Sequence, residues 1–269
     1  MQILGSRENK SEHPSHHSRF VSMRYGSSFL LYNWCCKTVL KEKRAHPYAV
    51  EMYKNEPNPW EEISLSDYEN HMSLDSVKQL QTMNSLMKRQ FEAYPVESVI
   101  ILGIAGGNGL EHVRKEKYRK VYGVDINARY LCAVSERYMT LSGILECIQL
   151  DLLKDVKRLP DAQFVIANLL IEYIGYSAFG KVVRQINPEY VSCVIQINTD
   201  ENNWVSDSPY IHSFDGLDAI HHQMEEEDLT AIMNEEGYHM ILKETCDLPN
   251  GKALVRMDYE KKERISVSR

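Results

Sequence analysis

The chain has 269 residues, of which 43% are hydrophobic, and a formal net charge of −7 at pH 7. This length and apolar content suffice for one α/β domain with an appendage or for two small domains, and they exclude a chain too polar to bury a core. Residues 1–45 carry a net charge of +5, which leaves −12 for the remainder, and an acidic body argues against a nucleic-acid substrate.

The cysteines and the apolar segments indicate where the protein resides. The six cysteines are scattered without CxxC spacing, which is typical of thiols in a reducing compartment. The longest apolar stretch near the N-terminus, residues 29–36, is interrupted by Asn33 and is too short to cross a hydrocarbon core of about 30 Å. No convincing small-residue cleavage site follows it. We therefore expect a cytoplasmic protein that does not enter a membrane.

The N-terminal part of the chain differs in composition from the rest. The first 20 residues are rich in Ser, His and charge, and residues 21–60 are punctuated by prolines. We interpret residues 1–64 as a partly disordered leader and arm, and residues 65–269 as the main domain. From Ser66 onward, apolar residues recur at intervals of three and four, which predicts an N-terminal extension of one or two amphipathic helices within 65–94.

Strand-like and helix-like segments alternate after Pro95, and this alternation predicts a mainly parallel sheet. The C-terminal runs 239–248 and 252–260 flank an Asn-Gly turn, which is typical of an antiparallel hairpin. The predicted fold is a doubly wound, mostly parallel seven-stranded sheet with this hairpin at its end and helices on both faces. Strands are predicted near 97–103, 120–125, 145–150, 162–168 and 190–197, and helices at about 108–117, 127–141, 176–186 and 225–236.

The segment 99–125 has the layout of a nucleotide-binding βαβ unit. An apolar run leads into a glycine-rich loop, and a second apolar run ends at Asp125. Glycines let the backbone turn sharply and approach a ligand, and an acid about 20 positions later can accept hydrogen bonds from ribose hydroxyls. The pattern predicts an adenosine-containing cofactor. A GxGxxG count from Gly103 meets Ala105 and Asn108 at its second and third glycines, which favours a nicotinamide dinucleotide less than a methyl donor.

On these residues the chain resembles the class I S-adenosylmethionine-dependent methyltransferases over about 65–260. The resemblance implies S-adenosylmethionine as the cofactor, with Asp125 on both ribose hydroxyls and Asp151 on the adenine amino group. Ala105 stands where many members have the first glycine of the loop. The segment 167–174 looks like the fourth-strand motif of the family. The implied cofactor-binding residues are Gly103, Ile104, Ala105, Gly106, Gly107, Asn108, Gly109, Asp125, Ile126, Asp151, Leu152, Asn168 and Leu169.

The chemistry of these residues can also be argued from their types and order. Backbone amides of Gly106–Gly109 beside a helix start can hydrogen-bond a carboxylate. Asp125 and Asp151 follow neighbouring strands, so both lie at the carboxyl edge where ligands of open α/β sheets bind. Methyl transfer from a sulfonium is an in-line displacement that depends mainly on alignment and exclusion of water. We therefore assign no catalytic acid or base.

Two regions are predicted to shape the acceptor pocket. In the family, the helix before the first strand often lies over the cofactor as a lid. The long segment 198–224 follows the fifth strand, at the edge where substrate contacts are expected. Its aromatic residues have the alternative role of anchoring the loop, and the roles of Glu172 and Tyr173 stay open. The candidate substrate-binding residues are Tyr68, His71, Met72, Tyr173, Trp204 and Tyr210.

The predicted acceptor is a small molecule. Asn168 is followed by three apolar residues instead of two prolines and an aromatic residue, which disfavours adenine-N6 and glutamine-N5 acceptors by comparison with the family. Three alternatives remain: a nicotinamide-dependent oxidoreductase, a cofactor-binding module without turnover, and a protein or RNA methyltransferase that docks through the basic N-terminal segment. The pair at 221–222 and the histidines near the N-terminus lack recurring ligand spacing, so we predict no metal site.

Overall fold

The computed structural model describes residues 57–198 and 204–262. The predicted leader, and the arm up to residue 56, lie outside the described residues. The domain boundary placed after residue 64 stays a prediction. The α-helices are α1 (Pro59–Glu62), α2 (Leu65–Ser73), α3 (Gln79–Ala93), α4 (Ala128–Arg137), α5 (Ile171–Ile174), α6 (Tyr176–Ile186) and α7 (Glu226–Glu235). The strands are β1 (Ser98–Leu102), β2 (Lys120–Asp125), β3 (Leu145–Gln149), β4 (Phe164–Asn168), β5 (Tyr190–Ile197), β6 (Tyr238–Asp247) and β7 (Ala253–Lys261).

The strands form one seven-stranded sheet in the order β3-β2-β1-β4-β5-β7-β6. The first five strands are parallel, and β7 pairs antiparallel with both β5 and β6. Leu102 at the end of β1 pairs with Val124 and Ala167 on its two neighbours, so the carboxyl ends of β2, β1 and β4 lie level. The predicted fold class, including the terminal hairpin, is confirmed.

Helices cover both faces of the sheet because alternate strand residues point to opposite sides. On one face, α6 and α7 contribute Phe179, Val183 and Leu229 to a buried cluster with Ile100 and other strand residues. On the other face, α3 and α4 pack with Val99, Ile101 and Phe164 through side chains that are buried at helical spacing. The predicted helices within 65–94 are present as α2 and α3. No helix of the described residues has the length and hydropathy needed to cross a membrane.

The helix predicted at 108–117 is wrong. Only a 3-10 turn, Leu110–His112, forms there, and turns follow it. The physical reason is that α3 already covers this part of the sheet: Leu110 and Val113 pack in the same cluster as α3, and the Tyr118 hydroxyl donates to the Phe91 carbonyl at 2.8 Å. The glycine loop therefore does not precede an α-helix, and the argument that a helix start there binds a carboxylate does not hold.

The helix predicted at 127–141 is shorter than expected. It begins after Asn127, whose side chain accepts a hydrogen bond from the backbone N–H of Arg129, and it ends at Arg137. A separate 3-10 turn, Met139–Leu141, follows. The side-chain cap explains why the sequence located the start of this helix correctly.

Candidate functional site

Three adjoining cavities lie where the carboxyl ends of the parallel strands meet α1 and α2. The Asp cavity, which is open to solvent, is lined by Asp125 and Asp151. The loop cavity lies between the loop after β1 and α3. The aromatic cavity is lined by Trp204 and other rings. Tyr68 and Leu169 line all three cavities, so these two side chains separate neighbouring compartments of one site.

Asp125 links the end of β2 to the loop after β1. Its Oδ2 accepts a hydrogen bond from the Ala105 N–H at 2.9 Å, and its Oδ1 accepts one from the Asn127 N–H at 2.9 Å. The side chain is 9% exposed. Burial raises the pKa of Asp125 to about 6, and the backbone hydrogen bonds act in the opposite direction by favouring the carboxylate. A buried carboxylate of this kind has spare acceptor capacity for a polar ligand.

Two non-glycine residues beside the cavities adopt left-handed backbone conformations. Ala105 has φ of 46° and Leu169 has φ of 51°. Such conformations are costly and persist where the surroundings impose them. Here the Ala105 N–H is held by Asp125, and the Leu169 N–H donates to the Val194 carbonyl at 2.8 Å. Both backbone turns place strained residues against the space where a ligand would lie.

The glycines of the loop divide into two groups. Gly103 and Gly106 line the cavities. Gly106 is also covered by the ion pair between Glu69 and Arg137, and Arg137 Nη1 donates to the Gly106 carbonyl at 3.2 Å. A side chain at Gly107 would meet the Tyr138 ring at 2.8 Å, and one at Gly109 would meet Met87 Cβ at 2.5 Å. Gly107 and Gly109 therefore allow close packing within the protein, and they do not line any of these three cavities.

The far wall of the Asp cavity comes from the β3 connection and from α1. Asp151 accepts a hydrogen bond from the Leu153 N–H at 2.9 Å and pairs with Lys154 at 2.9 Å. Asn58 and Trp60 also line this cavity, and the Asn127 side chain donates to the Trp60 carbonyl at 2.9 Å. Sequence reasoning missed both residues because it placed them in the arm. The sequence signal that could have indicated the start of α1 was the Asn-Pro pair, because Asn58 caps this helix and a proline occupies its first turn.

Asn168 is fixed from below the site by a buried polar network. Its side-chain amide exchanges hydrogen bonds with that of Gln90 at 2.9 and 2.8 Å. Gln90 also donates to the Ser192 hydroxyl at 2.8 Å. This network holds the carboxyl end of β4, where Asn168 and Leu169 reach the Asp and loop cavities.

The structure brings most of the predicted site residues together. Of the predicted substrate-binding residues, Tyr210 does not line these cavities; it packs in the cluster of Phe214 and Ile63, which also includes rings that line the aromatic cavity. The predicted cofactor-binding residues that line the Asp or loop cavity are Gly103, Ile104, Ala105, Gly106, Asn108, Asp125, Ile126, Asp151, Leu152, Asn168 and Leu169. The predicted substrate-binding residues that line the aromatic cavity are Tyr68, His71, Met72, Tyr173 and Trp204.

Rings from four elements enclose the aromatic cavity. Trp60 meets Tyr68 and Tyr173 edge-on, with ring centroids 5.9 and 4.9 Å apart, and Trp204 stacks on His221 at 3.9 Å. Sequence reasoning missed His221 as a lining residue. It had considered the pair at 221–222 for metal binding, and among the described residues no group of three or more potential metal ligands forms.

Glu172 is the acidic residue of the aromatic cavity. It is 4% exposed, and within the described part of the chain its Oε2 is a buried side-chain atom without a hydrogen-bond partner. Burial raises the pKa of Glu172 to about 8. The neighbouring histidines are neutral at pH 7: burial and then Lys252 lower the pKa of His71, and burial and then His222 lower the pKa of His221 to about 4.

Comparison with known proteins gives the name of this architecture. No protein-family model and no curated protein sequence matches the chain. Among solved structures, it is similar to the N-methyltransferase NodS from Bradyrhizobium japonicum in complex with S-adenosyl-L-homocysteine. The TM-score is 0.53 at 13% identity, over 74% of this chain and 98% of NodS. The chain has the fold of the class I S-adenosylmethionine-dependent methyltransferases.

Two further structures share this methyltransferase fold. The cyclopropane synthase MmaA2 from Mycobacterium tuberculosis gives a TM-score of 0.52 at 7% identity, over 71% of this chain and 88% of MmaA2. The methyltransferase domain of the bacterial protein CtHen1-C gives 0.51 at 17% identity, over 74% of this chain and all of that domain. At identities this low the similarity shows a shared fold, and a fold alone does not indicate the acceptor.

Proposed function

We propose that this protein is an S-adenosylmethionine-dependent methyltransferase that acts on a small-molecule acceptor. The observation that carries the proposal is that the Asp cavity and the aromatic cavity adjoin, with Tyr68 and Leu169 lining both. A donor on one side of these residues and an acceptor on the other would meet at a short distance. That juxtaposition is what a direct transfer between two bound molecules requires.

The residues present fit an adenosyl ligand. The Asp125 carboxylate lies at the tip of β2, where it would accept hydrogen bonds from the ribose hydroxyls, and Asp151, which follows β3 and lines the same cavity, would accept one from the adenine amino group. Apolar side chains, among them Leu152 and Ile126, line the same cavity and suit the faces of a purine. NodS, which shares the fold, was solved with S-adenosyl-L-homocysteine bound.

The chain's own residues then act by position and by exclusion of water. S-adenosylmethionine supplies an activated methyl group on a sulfonium. Tyr68 from α2 and Leu169 after β4 line both the Asp cavity and the aromatic cavity, and Trp60 from α1 lines both as well. In-line displacement gains most of its rate from such alignment. A small-molecule acceptor is supported by the lining of the aromatic cavity, which consists mainly of rings and apolar side chains with a few polar groups.

The first experiment is calorimetry of the full chain with S-adenosylmethionine, S-adenosylhomocysteine and NAD. We expect saturable binding of the first two and none of NAD; tight binding of NAD alone would overturn the proposal in favour of an oxidoreductase. A labelled-methyl screen of cell extract fractionated by size then identifies the acceptor class. Label in the small-molecule fraction supports a metabolite enzyme, and label only in macromolecules contradicts it. Cofactor binding without label in any fraction indicates a binding module.

A further inference from the structure

Glu172 is an acid that the proposed cofactor site does not use. It lies in α5, directly after the loop that leaves β4, and its side chain lines the aromatic cavity but not the Asp or loop cavity. It is 4% exposed, and its Oε2 is buried without a hydrogen-bond partner among the described residues. Leaving such an atom unpaired costs free energy, so a group of this kind usually has a ligand or a chemical role.

The groups around Glu172 would not compensate its charge. The cavity wall contains Tyr68, Tyr173, Trp204 and His221, and the lining residues that the structure describes include no lysine or arginine. Lys252 is close enough to lower the pKa values of His71 and His221, but its ammonium donates to the Trp204 carbonyl at 2.5 Å. A carboxylate inside apolar and aromatic walls is stabilised when a cation enters beside it.

The other titratable groups near Glu172 are neutral at pH 7. Tyr68, Tyr173 and Tyr176 are affected by its charge, and burial raises the pKa of each further above 10. Cys193, within β5, is also affected, and burial raises the pKa of its thiol well above the usual value. Burial lowers the pKa of His71 and of His221 below the usual value, so both are neutral. Glu172 is therefore the group of the cavity wall that can carry a negative charge.

Aromatic rings form much of the wall beside Glu172. Trp60 meets Tyr173 edge-on at a ring-centroid distance of 4.9 Å, and Tyr173 meets Trp204 edge-on at 6.3 Å. Where a ring presents its face to a bound ammonium group it attracts it, and the attraction grows when water is excluded. An apolar or aromatic substituent would pack against the remaining walls, which include Met72 and Phe214. The cavity thus combines one acidic group with apolar and aromatic walls.

We propose that the methyl acceptor is a small primary or secondary amine with an apolar or aromatic body, and that Glu172 binds its ammonium group and takes its proton. This inference rests on the proposed methyltransferase function. It goes beyond that function because it specifies the atom that is methylated and the residue that prepares it.

Methylation of the amine needs no reactant besides the amine and S-adenosylmethionine. The ammonium gives one N–H proton to the Glu172 carboxylate, which leaves a lone pair on nitrogen. That lone pair forms the new N–C bond as the C–S bond of the sulfonium breaks, and the bonding pair stays on sulfur. The product leaves as an N-methylammonium, and Glu172 passes its proton to solvent. A base with a pKa of about 8 is well matched to an alkylammonium, because the proton can move in either direction at moderate cost.

The test uses the full chain loaded with S-adenosylhomocysteine and three probe amines: 2-phenylethylamine, benzylamine and cyclohexylmethylamine. Each is compared with the alcohol of the same skeleton by calorimetry. We expect at least one amine to bind about tenfold or more tightly than its alcohol, and Glu172→Gln to remove that preference. Glu227→Gln, the same change at an exposed position of α7, is the matched control. Equal affinities for amines and alcohols, or a preference that survives in Glu172→Gln, would overturn the proposal.

A measurement on the unmodified protein keeps the test decisive if the variant does not fold. Because Glu172 is mostly protonated in the empty cavity at pH 7, pairing with an ammonium should release close to one proton per amine bound. Calorimetry in buffers of different ionisation enthalpy counts that proton; amine binding without proton release contradicts the role of Glu172. S-adenosylhomocysteine binding is measured first. If the protein does not bind S-adenosylhomocysteine, the proposed methyltransferase function is wrong. If it binds S-adenosylhomocysteine but shows no preference for amines, only the proposed acceptor class is wrong.

Discussion

The Asp125 carboxylate accepts a hydrogen bond from the backbone N–H of Ala105 at 2.9 Å, and this contact ties the tip of β2 to the loop after β1. The second carboxylate oxygen accepts from Asn127, which caps α4. One buried side chain thereby fixes three elements around the Asp cavity. The contact also explains how Ala105 keeps a left-handed backbone, with φ of 46°, where many methyltransferases of this class have glycine.

Replacing Asp125 by alanine should weaken binding of S-adenosylhomocysteine by about 1–3 kcal/mol, the scale for losing charge-assisted hydrogen bonds. The expected change in the dissociation constant is therefore about 5-fold to 150-fold, measured by calorimetry. Asp161→Ala, at an exposed position before β4, is the control and should bind normally. An unchanged affinity in Asp125→Ala would remove this residue from the cofactor site.

Replacing Ala105 by glycine should leave stability unchanged or raise it by up to about 1 kcal/mol, because glycine adopts a left-handed backbone without strain while adding freedom to the unfolded chain. Ala105→Val should destabilise, since a β-branched side chain tolerates positive φ poorly. Urea denaturation of the three proteins gives the order of stability. A clear loss in Ala105→Gly would show that the Ala105 side chain packs usefully and that strain is not stored there.

Much of the sheet could be predicted because parallel strands with helices on both faces are recognisable in the sequence as short apolar runs. Each strand from β1 to β5 is a short apolar run between polar turns, and the Asn-Gly pair at 250–251 indicates the hairpin. Asp125 could be assigned to the carboxyl edge because the last residues of all parallel strands lie at that same edge of the sheet.

The failures arose where tertiary packing overrode the local pattern. The segment after Gly109 has helix-compatible residues, but α3 fills the face that a helix there would cover. Trp60 reaches the site through a four-residue helix, α1, too short to leave a periodic signal. Glu172 shares the aromatic cavity with Trp60 and Trp204, which are far from it in sequence, so nothing near Glu172 could have indicated its surroundings.

Gly109 should tolerate alanine worse than Gly143 does. Both have strongly positive φ, 93° and 96°, so the backbone strain of the substitution is similar. A Cβ at Gly109 would lie 2.5 Å from Met87 Cβ, whereas one at Gly143 would have no neighbour within 4 Å. We expect Gly143→Ala to cost about 1 kcal/mol and Gly109→Ala about 2–4 kcal/mol in urea denaturation. Equal costs would mean that α3 moves away freely, and that this contact does not hold the loop.

The stability of the protein should fall as the pH rises towards 8. The folded-state pKa of Glu172 is about 8 and that of Asp125 about 6, both raised by burial above their ordinary values of 4.5 and 3.8. The folded state therefore holds protons that the unfolded chain has lost, and the stability that is present below about pH 4 is lost as each group ionises. Thermal unfolding followed from pH 5 to pH 9 measures this decline.

Glu172→Gln should reduce the loss of folding stability between pH 5 and pH 9 by a few kcal/mol. The magnitude follows because a pKa difference of one between the folded and unfolded states corresponds to about 1.4 kcal/mol. Glu227→Gln, which changes an exposed carboxylate, should follow the unmodified protein. Parallel profiles for all three proteins would show that Glu172 ionises normally in the folded state.

Replacing Asp258 alone should destabilise the protein far more than replacing it together with Arg256. Asp258 is 0% and Arg256 2% exposed, and Arg256 donates to both oxygens of the carboxylate, at 2.9 and 2.5 Å. Tyr94 donates to the same carboxylate at 2.6 Å, and Ser192 links it to Gln90 and so to Asn168 at the site.

Asp258→Ala leaves the Arg256 guanidinium buried without its counter-charge, so we expect a loss of about 3–5 kcal/mol in urea denaturation. The double change Arg256→Met with Asp258→Leu removes both charges at similar volume and should cost far less. If the double variant is as unstable as the single one, the cost lies in the hydrogen bonds from Tyr94 and Ser192. In that case S-adenosylhomocysteine affinity should fall in both variants, because Asn168 loses the support that reaches it through Gln90.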